Sequence, residues 1–87
     1  MQEDINKNTR IAVIGIVQEN REETALKVNQ ILAASSNLIV GRMGIPYKER
    51  DVSIISLIVD GSTDEIGAMT GKLGNVNGVK VKVAFTY

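Results

Sequence analysis

Residues 9–17 read TRIAVIGIV and residues 52–59 read VSIISLIV, and these two stretches decide the fold. Both are rich in β-branched residues, which favour strands. From residue 11 in the first stretch and throughout the second, the positions that form either face of a strand are apolar or small. A strand with this pattern lies at the centre of a sheet, with one face on the core and the other covered by further protein.

Four further segments are predicted around these two strands. Glu22 and Glu23 favour the start of a helix that continues to about residue 34, because acidic residues stabilise the first turn. The spacing of Ser62 and Glu65 is that of a capping box, which predicts a second helix to about residue 73. Strands complete the pattern at residues 38–43 and 79–85.

The order strand, helix, strand, strand, helix, strand predicts an α+β protein with a ferredoxin-like βαββαβ sandwich. In this fold a four-stranded antiparallel sheet carries two helices on one face. Right-handed crossovers give the spatial order fourth, first, third, second, which places the two apolar strands at the centre. We expect residues 9–87 to form this single domain and residues 1–8 to be a flexible N-terminal arm.

The face of the sheet opposite the helices is predicted to need a partner. Each central strand places a row of apolar side chains on that face. The chain has one Phe, two Tyr and no Trp, so its core is thin and aliphatic. We therefore expect a homo-oligomer, a dimer or a tetramer, held through the sheet face or the sheet edge. The interface residues predicted on this basis are Val13, Ile54 and Met43.

The composition excludes several classes of chemistry. The chain has no Cys and no His, which excludes common zinc and iron–sulfur sites, thiol nucleophiles and imidazole catalysis. Ten basic residues balance ten acidic ones, without the basic excess of a module that binds nucleic acid or lipid. We expect no enzymatic activity, no cofactor and no metal. The longest apolar run, residues 11–17, is far shorter than a membrane span of about 20 residues, so a cytoplasmic protein is expected.

The predicted topology brings one end of the sheet together with two loops. There the turn after the first strand meets the connection between the second and third strands and the exit of the second helix. The candidate residues for binding a small, amino-acid-like or anionic ligand at this end are Gln18, Glu19, Asn20, Arg21, Arg42 and Tyr47. Ordinary turn and capping chemistry, and the solubility of the hairpin, are the alternatives.

Two patterns in the last third are open to more than one interpretation. Gly67 and Gly71 match no phosphate-binding loop, and we interpret them as positions where the second helix approaches the sheet closely. Lys80 and Lys82 protect the edge of the last strand, although with Lys72 they form an alternative patch for nucleic acid.

Three other stretches read GRMGIPY at residues 41–47, IGAMTGKLG at residues 66–74 and VNGVKVK at residues 76–82. They resemble the small family of iron-only hydrogenase system regulators, and the likeness extends over about residues 9–86. The resemblance implies an ACT-like domain, similar to the C-terminal domain of nickel-responsive repressors, that assembles through its sheets. It also implies a role in transcription regulation, associated with the maturation genes of FeFe-hydrogenase.

Two departures separate the sequence from the nickel-responsive repressors. It lacks the His and Cys ligands of their regulatory domain, so nickel sensing does not carry over. Its ten polar N-terminal residues are expected to be too short for their ribbon–helix–helix DNA-binding segment. We expect a homo-oligomeric regulatory module that binds a small effector at subunit boundaries. The alternatives are an adaptor that docks a regulatory protein through its sheet without a ligand, and direct DNA binding through the lysine edge.

Overall fold

The computed structural model describes residues 9–87. These residues form one four-stranded antiparallel sheet and two α-helices. The elements in chain order are β1 (Thr9–Glu19), α1 (Glu22–Ala34), β2 (Ile39–Tyr47), β3 (Val52–Ser62), α2 (Thr63–Gly74) and β4 (Val79–Phe85). The predicted flexible arm, residues 1–8, lies outside the described residues.

The strand order is β2-β3-β1-β4, which confirms the predicted ferredoxin-like order. β1 and β3 pair at the centre with Val13 beside Ile58, and β2 and β4 form the two edges. The apolar character of both faces therefore identified the central strands correctly. The predicted end of β2 near residue 43 is wrong, because β2 continues to Tyr47 and pairs there with Val52.

The two helices begin as the sequence predicts. The Glu65 backbone N–H donates to Ser62 Oγ and the Ser62 N–H donates to Glu65 Oε1, both at 3.0 Å, which completes the capping box of α2. α1 carries Glu22 and Glu23 in its first turn. Within residues 9–87, no helix has both the length and the apolar character needed to cross a bilayer.

The core lies between the sheet and the helices, on one face of the sheet only. It consists of the buried side chains of Ala12, Ile14, Ile16, Val28, Leu32, Leu38, Ile55, Leu57, Val59, Ile66, Met69, Leu73 and Val79. α1 packs on β1, whereas α2 packs on β3 and β4. The main contacts of β2 are with β3 alone, so its helix-facing side is left largely uncovered.

The interpretation of Gly67 and Gly71 is wrong. Both are exposed, and a Cβ built on either would meet no atom within 4 Å, so α2 does not approach the sheet there. Close approach occurs instead at Gly61, where a Cβ would lie 2.7 Å from Leu38 Cδ2. The helical spacing of Gly67 and Gly71 placed them on one face of α2 but did not indicate which face it is.

Candidate functional site

The face of the sheet opposite the helices, which we term the open face, is apolar and uncovered. Val13, Ile54 and Met43 are 39%, 37% and 60% exposed on it, so the structure brings the three predicted interface residues together. Three rows of paired residues cross the open face from β2 to β4. They are the first row, Gly41–Ile58–Val13–Ala84, the middle row, Met43–Ser56–Gly15–Lys82, and the third row, Ile45–Ile54–Val17–Lys80.

The relief of the open face follows from residue size. Ser56 and Gly15 lie at the centre of the middle row, and no atom lies within 4 Å of a Cβ built on Gly15. The first row ends in the small residues Gly41 and Ala84, whereas the third row ends in long side chains. The open face therefore has a shallow central depression between two ridges of branched aliphatic side chains.

The predicted segments meet at one end of the sheet. The Glu19 backbone N–H donates to the Gly78 carbonyl at 2.9 Å, and the Asn20 N–H donates to the Asp51 carbonyl at 3.1 Å. Asn20 Nδ2 also donates to Asp51 Oδ1 at 3.3 Å. These bonds join the turn after β1 to the β2–β3 connection and to the start of β4.

Two adjoining hollows lie on the open face at this end. The larger, of about 380 Å³, is lined by Val17, Glu19, Val52, Gly78, Val79 and Lys80. The smaller, of about 330 Å³, is lined by Val17, Tyr47, Arg50, Val52 and Ile54. Each hollow combines apolar walls with charged groups, and Val17 and Val52 are common to both. In the part of the chain that the structure describes, no cluster of three or more acidic side chains is arranged to hold a metal ion.

A third concavity, of about 210 Å³, lies on the helix side of the sheet between α1 and β2. Its polar lining includes Gln18, Asn29, Arg42 and Ser53. Arg42 Nη2 donates to Asn29 Oδ1 at 3.1 Å, which links the β2 edge to α1. We term this concavity the helix-side groove.

The structure does not bring the six predicted ligand-binding residues into one site. Glu19 and Tyr47 line the two hollows of the open face. Gln18 and Arg42 line the helix-side groove instead. Successive side chains of a strand point to opposite faces, so the side chains of Gln18 and Glu19 lie on opposite faces of the sheet.

Asn20 and Arg21 form a third group within the turn. The side-chain amide of Asn20 already donates a hydrogen bond to the Asp51 carboxylate. Arg21 Nη1 lies 3.7 Å from Glu19 Oε1, and Arg21 Nη2 lies 3.8 Å from Glu23 Oε1. These contacts support the alternative that both residues serve the turn.

Several residues that line the cavities were missed as ligand-binding candidates from the sequence. The position of Lys80 beside the site could be predicted from strand pairing, because Lys80 lies opposite Val17 where β4 pairs with β1. The position of Ser53 could be predicted in the same way, since Ser53 on β3 lies opposite Gln18 on β1. The position of Asn29 depends on the orientation of α1 about its own axis, which the sequence does not indicate.

Comparisons with known proteins support one family. The model of the TM1266-like family, which carries the name iron-only hydrogenase system regulator, matches residues 10–83. The structure is similar to that of the protein TM1266 from Thermotoga maritima, with a TM-score of 0.89 and 38% sequence identity over 91% of this chain and 99% of that chain. No curated protein matches the sequence.

More distant structures share the fold alone. The C-terminal domain of the MgtC protein from Mycobacterium tuberculosis has a TM-score of 0.69 at 10% identity, over 92% of this chain and 90% of that chain. CPII from Thiomonas intermedia K12, a nitrogen regulatory PII-like protein, has a TM-score of 0.55 at 12% identity, over 90% and 94% of the two chains. Their functions carry no weight for this chain at these identities.

Proposed function

Because this chain belongs to the TM1266-like family of iron-only hydrogenase system regulators, we propose that it regulates that system and is not an enzyme. It acts in the cytoplasm as an assembly of identical chains that contact each other through the open face. A small effector binds in the two hollows at the boundary between subunits. Any effect on transcription passes through that effector or through a partner protein, and this domain does not itself read DNA sequence.

The observation that carries the proposal is the uncovered apolar surface of the open face. Four strands about 4.8 Å apart and about six residues of 3.3 Å each give a footprint of roughly 19 by 20 Å. Two such footprints add up to roughly 760 Å² of flat area, and the relief of the side chains raises the accessible area towards about 1,200 Å², the lower end of the range for stable specific interfaces. Removal of that apolar area from water stabilises an assembly by about 25 cal/mol per Å² before the costs of association.

A second copy of the chain is the occupant that fits the open face. A twofold axis that crosses the strands at the middle row places the first row of one copy over the third row of the other. At the ends of these rows Gly41 and Ala84 then face Ile45 and Lys80, so small residues meet large ones, and between them Ile58 and Val13 of one copy contact Ile54 and Val17 of the other. The same axis makes the contact self-complementary and closed, which gives a dimer.

The location of the two hollows supports an effector at the boundary. Both open onto the face that the second copy covers, so assembly encloses them. Arg50 and Lys80 supply positive charge there, Glu19 supplies negative charge and Tyr47 supplies a hydroxyl. This set suits a small metabolite of the amino-acid type, with an anionic group and a hydrogen-bond donor.

The test is a thermal-shift screen of amino acids and nucleotides against the natural chain and two variants. Gly15→Glu places a carboxylate at the centre of the open face and should be monomeric. Gly67→Glu makes the same substitution on the exposed side of α2 and should stay assembled. An effector at the boundary raises the melting temperature of the natural chain and Gly67→Glu, but not of Gly15→Glu.

Two outcomes would overturn the effector function. A dimer whose melting temperature ignores the whole panel would be an adaptor for a partner protein. Tight, saturable DNA binding with a steep dependence on salt concentration would assign direct DNA binding instead.

A further inference from the structure

We propose that the helix-side groove binds a small carboxylate that carries a hydrogen-bond donor, with Arg42 as its counter-charge. The groove lies mainly on the helix side of the sheet, although Ile45 and Ile54 of the open face also contribute to its lining, and it needs no second subunit. The inference therefore goes beyond the proposed function and can fail or hold independently of it.

Arg42 gives the groove its positive charge. One of its N–H groups is used by Asn29, at 3.1 Å, which ties the guanidinium to α1 and leaves other N–H donors for a ligand. Of the described residues that line the groove, none is Asp or Glu. A guanidinium in such surroundings favours an oxyanion, which it binds through parallel charge-assisted hydrogen bonds.

Gln18 gives the groove an unused hydrogen-bonding group. The side chain is only 7% exposed, and its Oε1 has no hydrogen-bond partner among residues 9–87. Buried polar atoms in native proteins nearly always have a partner. Rotation about the last side-chain bond presents either the oxygen or the nitrogen of the carboxamide to the groove, so a donor on the ligand can pair with it.

The size and the remaining lining define the ligand further. The volume of about 210 Å³ is below the range of about 300–1,000 Å³ that drug-sized ligands occupy, so the ligand is small. Gly44 contributes no side chain to the floor, which leaves the space open beside β2. Ser53 lies next to Gln18 across the strand pair and adds a half-buried hydroxyl.

The experiment titrates the ¹⁵N-labelled natural chain with sodium glycolate and follows its backbone amide resonances. Acetate, which has the carboxylate but no hydroxyl, is the matched probe, and sodium chloride controls for ionic strength. We expect saturable shifts at Gly44 and Ser53 with glycolate. Acetate should bind about three- to tenfold more weakly, because it lacks the donor for Gln18.

Three variants separate the roles of the groove residues. Arg42→Gln should weaken glycolate binding about tenfold or more, because the charge-assisted bonds are lost. Gln18→Met should equalise the affinities for glycolate and acetate without lowering the melting temperature, because it removes an unpaired buried oxygen. Lys82→Gln removes a cation from the open face and should leave both affinities unchanged.

The inference is overturned if glycolate shifts no more resonances than sodium chloride, or if its affinity survives Arg42→Gln. The Gly15→Glu chain should still bind glycolate, because the groove belongs to one subunit. Loss of glycolate binding in that variant would place the site at the subunit boundary and would also overturn the inference.

Discussion

Gly15→Glu is predicted to stabilise the folded chain and to weaken its assembly. Gly15 lies in the middle of β1, opposite Lys82 on β4, and a Cβ there meets no atom within 4 Å. Replacing a strand glycine removes an entropic penalty of about 0.5–1 kcal/mol. A cross-strand pair with Lys82 adds about 0.2–1 kcal/mol. The isolated chain should therefore become about 1 kcal/mol more stable, which raises its melting temperature by about 4–8 °C.

The assembled state should be lost through the same substitution. The proposed twofold axis crosses the middle row, so both copies of the new carboxylate lie near the centre of an apolar contact. Each new carboxylate is paired with Lys82 of its own chain, but both charges of each pair lose water at the contact and the two carboxylates face each other, which costs several kcal/mol. A total of about 5 kcal/mol or more raises the dissociation constant by over about a thousandfold.

Two measurements check this prediction. Sedimentation velocity over a range of protein concentrations gives the assembly state. Urea denaturation at a low protein concentration gives the stability of the separate chain. Gly67→Glu is the matched control and should sediment like the natural chain, because Gly67 is exposed on α2. Sedimentation of Gly15→Glu like the natural chain, or destabilisation of its separate chain, would show that the open face is not a buried contact with room for a side chain at residue 15.

Three further substitutions test the local structure by thermal denaturation. Ser62→Ala removes the acceptor of the capping box and should cost about 1 kcal/mol; an unchanged melting temperature would show that the bond to Glu65 contributes nothing. Gly78→Ala should destabilise by about 1 kcal/mol or more, because φ is 83° and the new Cβ would lie 2.5 Å from Glu19 Oε1; a neutral effect would contradict that geometry. Gly67→Ala should stabilise by up to about 1 kcal/mol in an exposed helix, and destabilisation would mean that α2 is covered in the assembly.

The fold was predictable because several local signals agreed. The apolar faces of residues 9–17 and 52–59 required two central strands, and the capping box of Ser62 and Glu65 located the second helix. Topology rules then left one order for the sheet. The end of β2 was missed, because Gly44 and Pro46 favour a loop in isolation whereas their pairing with β3 holds them in a strand.

The site was only partly predictable from the sequence. The sequence pattern locates the turn after β1 correctly, but it does not show that the residues of this turn lie in different places. Because β1 continues through Glu19 and successive side chains of a strand alternate, Gln18 lies on the helix side of the sheet and Glu19 lies on the open face. The partners that complete the groove come from elements far apart in sequence, so no spacing rule identifies them.

The proposed dimer requires that a second copy of the chain covers the open face. Sedimentation equilibrium of the unmodified protein tests it most directly. The proposed assembly should have a mass of at least two 9.4 kDa chains at micromolar concentration. A single 9.4 kDa species at all concentrations up to the millimolar range would contradict it.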